Sequence, residues 1–378
     1  MEKFDKSITY VFTKRIELKD SQLDTPKEFE YSYYFIKNIY PQTRYIEAVK
    51  PTKKSLLLKA IDKFLNKLTK VSFNTKNYIN FNNFKIFKKT DVIVTTNHGI
   101  SSSVLFLVIF TKLFNKKLKL FLINSGFFNI PKNQKYIHFL RKLVVKLFLK
   151  THTKILFTSL TEYEFALKNY SNYSKKFYYH SFCLDDRFWS KKSLIKNPLN
   201  VENYILFVGN NGFRDVKMLL NIAEALPEYK FVFITKLLRN SEINQLKNIH
   251  LVNGEIMDKA LSDIDLKKIY EDALITINPL SDSLVASGQS VTMQSMAVGT
   301  PVIISKTIGF WDNFNNFKDN ENIYLVEEEN LNTWKNKINS VLSDSSNLLK
   351  VGAKGKHLIL NKYQQSEFDK FLHSHLSN

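Results

Sequence analysis

The chain has 378 residues but a single cysteine, Cys183, so neither an intrachain disulfide nor a cysteine cage for zinc can form. That composition suits a reducing cytosol. Glycine (10) and proline (8) are scarce, which leaves no room for long flexible linkers or low-complexity spacers. The opening segment, MEKFDKSITYVFTKR, lacks the basic end followed by an apolar stretch that marks a secretory signal, so a cytoplasmic location is expected. The longest apolar run, Val104 to Phe110, falls far short of the roughly 20 residues that cross a bilayer, so any membrane contact is expected to be peripheral. No unit of roughly 20–50 residues repeats, which excludes solenoids and propellers.

Acidic charge is missing from one region only. Residues 51–150 hold 20 Lys and Arg against Asp62 and Asp91 alone; residues 1–200 carry 37 basic against 14 acidic groups, and residues 201–378 carry 18 against 21. A bias of the genome would act on both halves, so the asymmetry implies a polyanionic partner of the first half. A nucleic acid is one reading, because the basic half is also rich in Phe and Tyr, but no recognisable nucleic-acid module accompanies the charge and no such partner is expected. An anionic membrane surface is another. The stretch Lys53–Lys70 places Leu58, Ile61, Leu65 and Leu68 on one side, with Lys53, Lys54, Lys59, Lys63, Lys67 and Lys70 elsewhere. The stretch Tyr136–Leu149 combines Ile137, Leu140, Val144, Leu147 and Phe148 with Arg141, Lys142, Lys146 and Lys150. The apolar faces are expected to be buried on the domain's own sheet, leaving the cations as a skirt that associates weakly with anionic lipid.

What the sequence does contain is alternation. Ser7–Phe12, Asp91–Thr96, Lys119–Asn124 and Lys154–Ser159 read as buried parallel strands, separated by helices such as Ser55–Leu68 and Lys135–Leu149. The second half has strands at Tyr204–Val208, Lys230–Thr235, His250–Val252, Ala273–Asn278, Pro301–Ser305 and Asn322–Val326, with helices at Asp265–Glu271 and Gln289–Val298. Asp215 is placed to cap a further helix whose Val216, Leu219, Leu220, Ala223 and Leu226 share a face, and Pro227 ends it. Such alternation predicts open parallel sheets covered on both faces, which bind ligands beyond the carboxyl ends of their strands.

Between the strands ending at Asn278 and starting at Pro301 lies a loop, Pro279 to Gly288, and one short helix. Its first turn, at Ser287, Gly288, Gln289 and Ser290, offers unpaired N–H groups and the positive end of a helix dipole, a seat for a diphosphate. Gly288 removes the Cβ that would hold a phosphate off. No His/Asp cluster with metal-ligand spacing occurs.

The stretch IYEDALITINPLSDSLVASGQSVTMQSMAVGTPVIIS resembles the donor-binding segment of GT-B glycosyltransferases, particularly the retaining family 4, or group 1, type with its E-G-F-G-x(4)-E-A-M-A-x-G-x-P-V-I pattern. The shared MA-x-G-x-PVI and the later ENIYLVEEENLNTWKNKI carry the likeness across 201–360; TSLTEYEFAL and YYHSFCLDDRFW add weaker support. The resemblance implies an α/β chain of GT-B architecture, with two Rossmann-like domains whose parallel sheets face across a cleft. The expected division is 1–195 on the acceptor side, 196–358 for the nucleotide sugar, and a C-terminal helical segment, 359–378, packing back toward the first domain. It implies transfer of a sugar from a nucleotide-diphosphate donor to a glycan or lipid-linked acceptor in cell-surface polysaccharide synthesis, with retention, with no cofactor beyond the donor and no required metal.

The family's E-x(7)-E pair is Ala286 and Gln294 here. The second Glu accepts from the nucleotide ribose, a role the Gln294 carbonyl can fill; the first lies near the transferred sugar, which Ala286 cannot hold, leaving Asp282 or Gln289 as substitutes. The Arg that usually follows the glycine of the first loop is Asn210, after Gly209, so Arg214 is a shifted candidate for the diphosphate, as a catalytic and donor-binding cation, beside Lys217 and Lys236. From the first half, Asn97, Asn124 and Gly126 are acceptor-side candidates on loops after apolar strands, and His98 is a candidate contact to the sugar or catalytic base. Trp311 and Asp312 fall where the family has a loop beside the donor base. An inverting reaction based on His98 and a catalytically silent scaffold are the alternatives that the same residues allow.

Overall fold

The computed structural model describes residues 4–13, 25–49, 56–124, 126–128, 135–252, 261–328 and 330–377, with the side chains of 135–138 excepted. Lys53, Lys54, Ser125 and the side chains of Tyr136 and Ile137 therefore lie outside the described residues. The chain forms two compact units. One comprises Glu30–Ser181 with residues 4–13 and 369–377; the other comprises Phe182–Phe368 with residues 25–29.

The first unit carries a six-stranded sheet of β1 (Ile8–Phe12), β2 (Arg44–Glu47), β3 (Val92–Thr95), β4 (Lys119–Asn124), β5 (Lys154–Phe157) and β6 (Phe177–Tyr179). They lie in the order β2-β1-β3-β4-β5-β6, and every pairing is parallel. The four strands legible in the sequence are the continuous apolar ones. The two that escaped, β2 and β6, are the sheet's edges, and the half-exposed RYIE and FYY lack the uninterrupted run that burial on both faces imposes.

The second unit carries β7 (Tyr204–Val208), β8 (Lys230–Ile234), β9 (Ile249–Val252), β10 (Ile275–Asn278), β11 (Val302–Ser305) and β12 (Tyr324–Val326), ordered β12-β11-β10-β7-β8-β9 and again wholly parallel. Alternate residues of one strand serve opposite cores. Ile205 and Phe207 join Leu219, Ile222, Trp334 and Ile338 on one face, whereas Leu206 and Val208 join Met293, Met296, Ile269 and Trp189 on the other. As expected, Asp215 caps the helix Val216–Ala225, its Oδ1 accepting from the Met218 N–H at 2.9 Å.

Two expectations about the first unit are met only in part. On the helix Leu56–Thr69 the expected inward residues Leu58, Leu65 and Leu68 are half-buried but Ile61 is exposed, and on Lys135–Thr151 Phe148 is buried and Val144 half-buried while Leu140 and Leu147 face solvent. The fully inward arcs hold Asp62 and Thr69 on the first helix and Arg141, Val145, Phe148 and Leu149 on the second, and Leu57 and Phe64, 73% and 63% exposed, stand outside the expected face. Arg141, counted among the flanking cations, is buried and donates to the carbonyls of Thr69, Lys70 and Phe127. It is a strut between segments rather than part of a charged skirt.

Candidate functional site

In the second sheet, β7 and β10 are neighbours whose following helices pack on opposite faces, Val216–Ala225 on one and Gln289–Val298 on the other. This is the point at which a doubly wound sheet opens a crevice beyond its carboxyl ends. The two loops that rim it are sewn together: the Asp215 N–H donates to the Pro279 carbonyl at 3.0 Å and the Ser281 N–H to that of Phe213 at 2.9 Å. Polar bonds also pin the helix Gln289–Val298 to the strand beneath, Thr276 Oγ1 to Ser295 Oγ at 2.8 Å and Asn278 Nδ2 to Thr292 Oγ1 at 2.9 Å.

Arg214 sits at this rim, only 8% exposed. Its Nε and Nη1 find no acceptor among the described residues. Burial draws the guanidinium down to about 10, so it stays cationic at neutral pH. Two glycines make its seat. A Cβ at Gly209 would lie 2.3 Å from Arg214 Nε, and one at Gly288 would lie 2.9 Å from Nη1. Gly288 has φ +79°, the left-handed region that glycine occupies without strain, and is the N-cap of Gln289–Val298 with no side chain capping that end. Ser287 Oγ beside it is also buried and lacks a partner among the described residues. A buried guanidinium, an uncapped helix N-terminus and a hydroxyl without a partner therefore lie together, and no carboxylate among the described residues pairs with the guanidinium. Such a group of donors is costly without an anion and complementary to one.

The remaining donor-side candidates divide. Asn210 and Lys236 come together, the Asn210 Oδ1 accepting from the Lys236 N–H at 2.8 Å, with the Lys236 side chain exposed. Lys217 is exposed in the first turn of its helix, Gln289 is buried and Ser290 half-buried. Gln294 is buried, and its Nε2 donates at 3.1 Å to the carboxylate of Glu28, which also accepts from Trp189 Nε1 at 3.0 Å and the Asp185 N–H at 3.4 Å. Burial pushes Glu28 up to about 7 against the opposing pull of these donors. The sequence offered no sign of Glu28, a lone carboxylate more than 260 positions from its partner. Ala286 packs on the core, and Asp282 is occupied by the Ile308 N–H at 2.8 Å. Trp311 is fully buried and stacked on Phe310, while Asp312 accepts from Tyr363 Oη at 2.7 Å.

In the first unit the candidates gather beyond the adjacent carboxyl ends of β3 and β4. Asn97 caps the helix His98–Lys112, its Oδ1 accepting from the Ile100 N–H at 2.9 Å. His98 begins that helix with its ring 6.0 Å from that of Phe127. Asn124 is buried beside Glu162, and Gly126, at φ +82°, donates its N–H to Glu162 Oε2 at 2.7 Å. The Phe128 N–H meets Oε1 at 3.0 Å. Burial raises Glu162 above the usual carboxylate range, and these donors work against that rise. Glu162 takes the N–H groups of the 126–128 turn while Arg141 donates to the carbonyl of Phe127 in the same turn, so a buried charge of each sign holds it. In the sequence Arg141 read as one of a row of flanking cations, and nothing singled out Glu162.

Residues 190–358 match the family described as glycosyl transferases group 1. No curated protein matches the chain. Among solved structures, sucrose-phosphate synthase from Thermosynechococcus elongatus superposes with a TM-score of 0.70 at 14% identity, covering 98% of each chain. Anabaena HepE in complex with UDP-glucose gives 0.66 at 11%, covering 98% of this chain and 99% of its own. A UDP-N-acetylglucosamine 2-epimerase gives 0.56 at 12%, covering 100% and 96%. At these identities the likeness shows the fold, two parallel six-stranded sheets of the GT-B type, and a fold shared with an epimerase does not choose the reaction. The match of residues 190–358 to a glycosyl transferase family points to glycosyl transfer.

Proposed function

From the match of residues 190–358 to the glycosyl transferases group 1 family, we propose that the protein moves a sugar, with retention, from a nucleotide-diphosphate donor to a glycan or lipid-linked acceptor in cell-surface polysaccharide synthesis. The observation that carries the donor half of this reading is the Arg214 guanidinium, buried and without an acceptor among the described residues, against Gly209 and Gly288 at an uncapped helix N-terminus.

The chemistry follows from where charge develops. As the bond to the anomeric carbon breaks, the sugar becomes oxocarbenium-like and negative charge grows on the leaving diphosphate. Donors already fixed at that position stabilise the transition state without reorganising. Arg214 supplies a fixed cation, Ser287 a hydroxyl, and Gly288 to Ser290 the backbone N–H groups. In this scheme they meet the diphosphate charge, so a metal ion is not required. In the first unit, His98 is the proposed catalytic group and Asn97, Asn124 and Gly126 are the proposed acceptor-side residues.

Calorimetric titration with UDP, GDP, ADP and CMP, followed by their sugars, tests the reading. Selective micromolar binding of one nucleotide diphosphate that is insensitive to chelator is expected, with release of that diphosphate when an acceptor is supplied. Binding of none of them would sink the proposal. The anomeric configuration of the product, read by proton NMR, separates retention from inversion.

A further inference from the structure

We infer that the first unit docks on anionic phospholipid bilayers through the helices Leu56–Thr69 and Lys135–Thr151, which pack against each other. On the first helix, Leu57, Ile61 and Phe64 are exposed and recur at the spacing of one helical face; on the second, Leu140, Leu143 and Leu147 do the same. Side chains of this size seldom stand together in water without a partner.

A row of cations runs beside each apolar stripe. Lys59, Lys63 and Lys67 recur every four residues on the first helix, and Lys142, Lys146 and Lys150 on the second, all of them exposed. Nothing on either helix offsets them. Asp62, the one acidic residue of the first, is turned inward, its carboxylate accepting from the N–H groups of Thr75 and Lys76 and from Thr75 Oγ1. Exposed aliphatic and aromatic groups flanked by lysines match the interface of an anionic leaflet, where acyl chains and headgroup phosphates are met together.

The other occupants fit less well. A nucleic acid would engage the lysines but has no use for exposed leucines. A second copy of the chain would set one lysine row against another. No described helix is long and apolar enough to cross a membrane, so the contact is one of surface.

The inference does not depend on the transfer reaction, and the assay needs neither donor nor acceptor, so its failure leaves the donor-site reading untouched. The full chain is sedimented with phosphatidylcholine vesicles, with and without phosphatidylglycerol. One variant combines Leu57→Ser, Phe64→Ser, Leu143→Ser and Leu147→Ser; another combines Lys63→Gln, Lys67→Gln, Lys146→Gln and Lys150→Gln. All eight positions are exposed, and unchanged thermal melting confirms folding. Binding that requires phosphatidylglycerol and weakens roughly tenfold or more in each variant is expected. Equal binding to neutral vesicles, or full binding by the serine variant, overturns the inference. So does a concentration-dependent dimer that the serine variant abolishes in the absence of lipid binding, or binding to RNA or DNA at physiological salt that the glutamine variant abolishes while vesicles are ignored.

Discussion

Gln294 donates its side-chain amide to Glu28 at 3.1 Å, inside a buried pocket where Trp189 and the Asp185 N–H complete the carboxylate's partners. This relationship gives a physical reason for the amide at a position where the resembling family carries a glutamate. A carboxylate at 294 would face Glu28 at hydrogen-bond distance, with no cation among Glu28's described partners to separate them, whereas an amide supplies the donor that Glu28 needs.

Replacing Gln294→Glu therefore sets two acids against each other. Stability is expected to fall by roughly 1–3 kcal/mol above pH 7 and by less near pH 5, where one carboxyl is protonated and can donate to the other. Thermal melts across this range measure it. A variant as stable as the parent at pH 8 would show that the pocket tolerates two carboxylates.

Glu28 also links stability to pH. Its folded-state pKa stands at about 7, raised by burial above the ordinary 4.5, so the folded chain holds a proton that the unfolded chain has released. Its contribution is fully present below pH 4.5 and is lost as pH rises to 7, amounting to about 3 kcal/mol at most. The difference in melting temperature between the parent and Glu28→Gln is expected to shift in favour of the variant over that window. Parallel profiles would mean that the group does not titrate there.

For Arg214→Met the two readouts are expected to move in opposite directions. Nucleotide-diphosphate affinity falls by roughly a hundredfold or more, because charge-assisted hydrogen bonds to the anion are lost. Stability without ligand stays level or rises, because a buried charge lacking an acceptor among the described residues is replaced by apolar volume. Calorimetry and unliganded melts give both values. Unchanged affinity with a loss of several kcal/mol would make Arg214 a structural residue.

The two glycines report on the same seat. Gly209→Ala puts a methyl 2.3 Å from Arg214 Nε, displacing the guanidinium and weakening donor binding roughly tenfold. Stability lost by this change is expected to return in the double variant with Arg214→Ala, which removes the Cδ, Nε and Cζ atoms that the methyl meets. Gly288→Ala carries in addition about 1–2 kcal/mol from its left-handed backbone, which no change at 214 relieves. Double-mutant melts and titrations separate the two.

Much of the fold was legible because its signals are local. The central strands are uninterrupted apolar runs, Asp215 stands where a cap must stand, and Gln289–Val298 lies between Gly288 and Gly299, both at positive φ. The same locality hid the rest. Edge strands β2 and β6 are half wet and so carry no continuous run. Arg141 and Glu162 look like any helical charge until the turn they hold is brought to them from elsewhere in the chain.

By itself, then, the sequence determined two α/β halves, a helix starting at Gln289 behind a glycine, and a basic first half, since each follows from periodicity, capping or composition. Only the tertiary structure decided that Arg214 is buried against Gly209 and Gly288, that Gln294 answers Glu28, and that Leu57, Ile61 and Phe64 on one basic helix and Leu140, Leu143 and Leu147 on another face outward. Periodicity shows that a helix has an apolar face, but the direction of that face, like the partner of a buried charge, is settled by residues that meet only when distant parts of the chain pack.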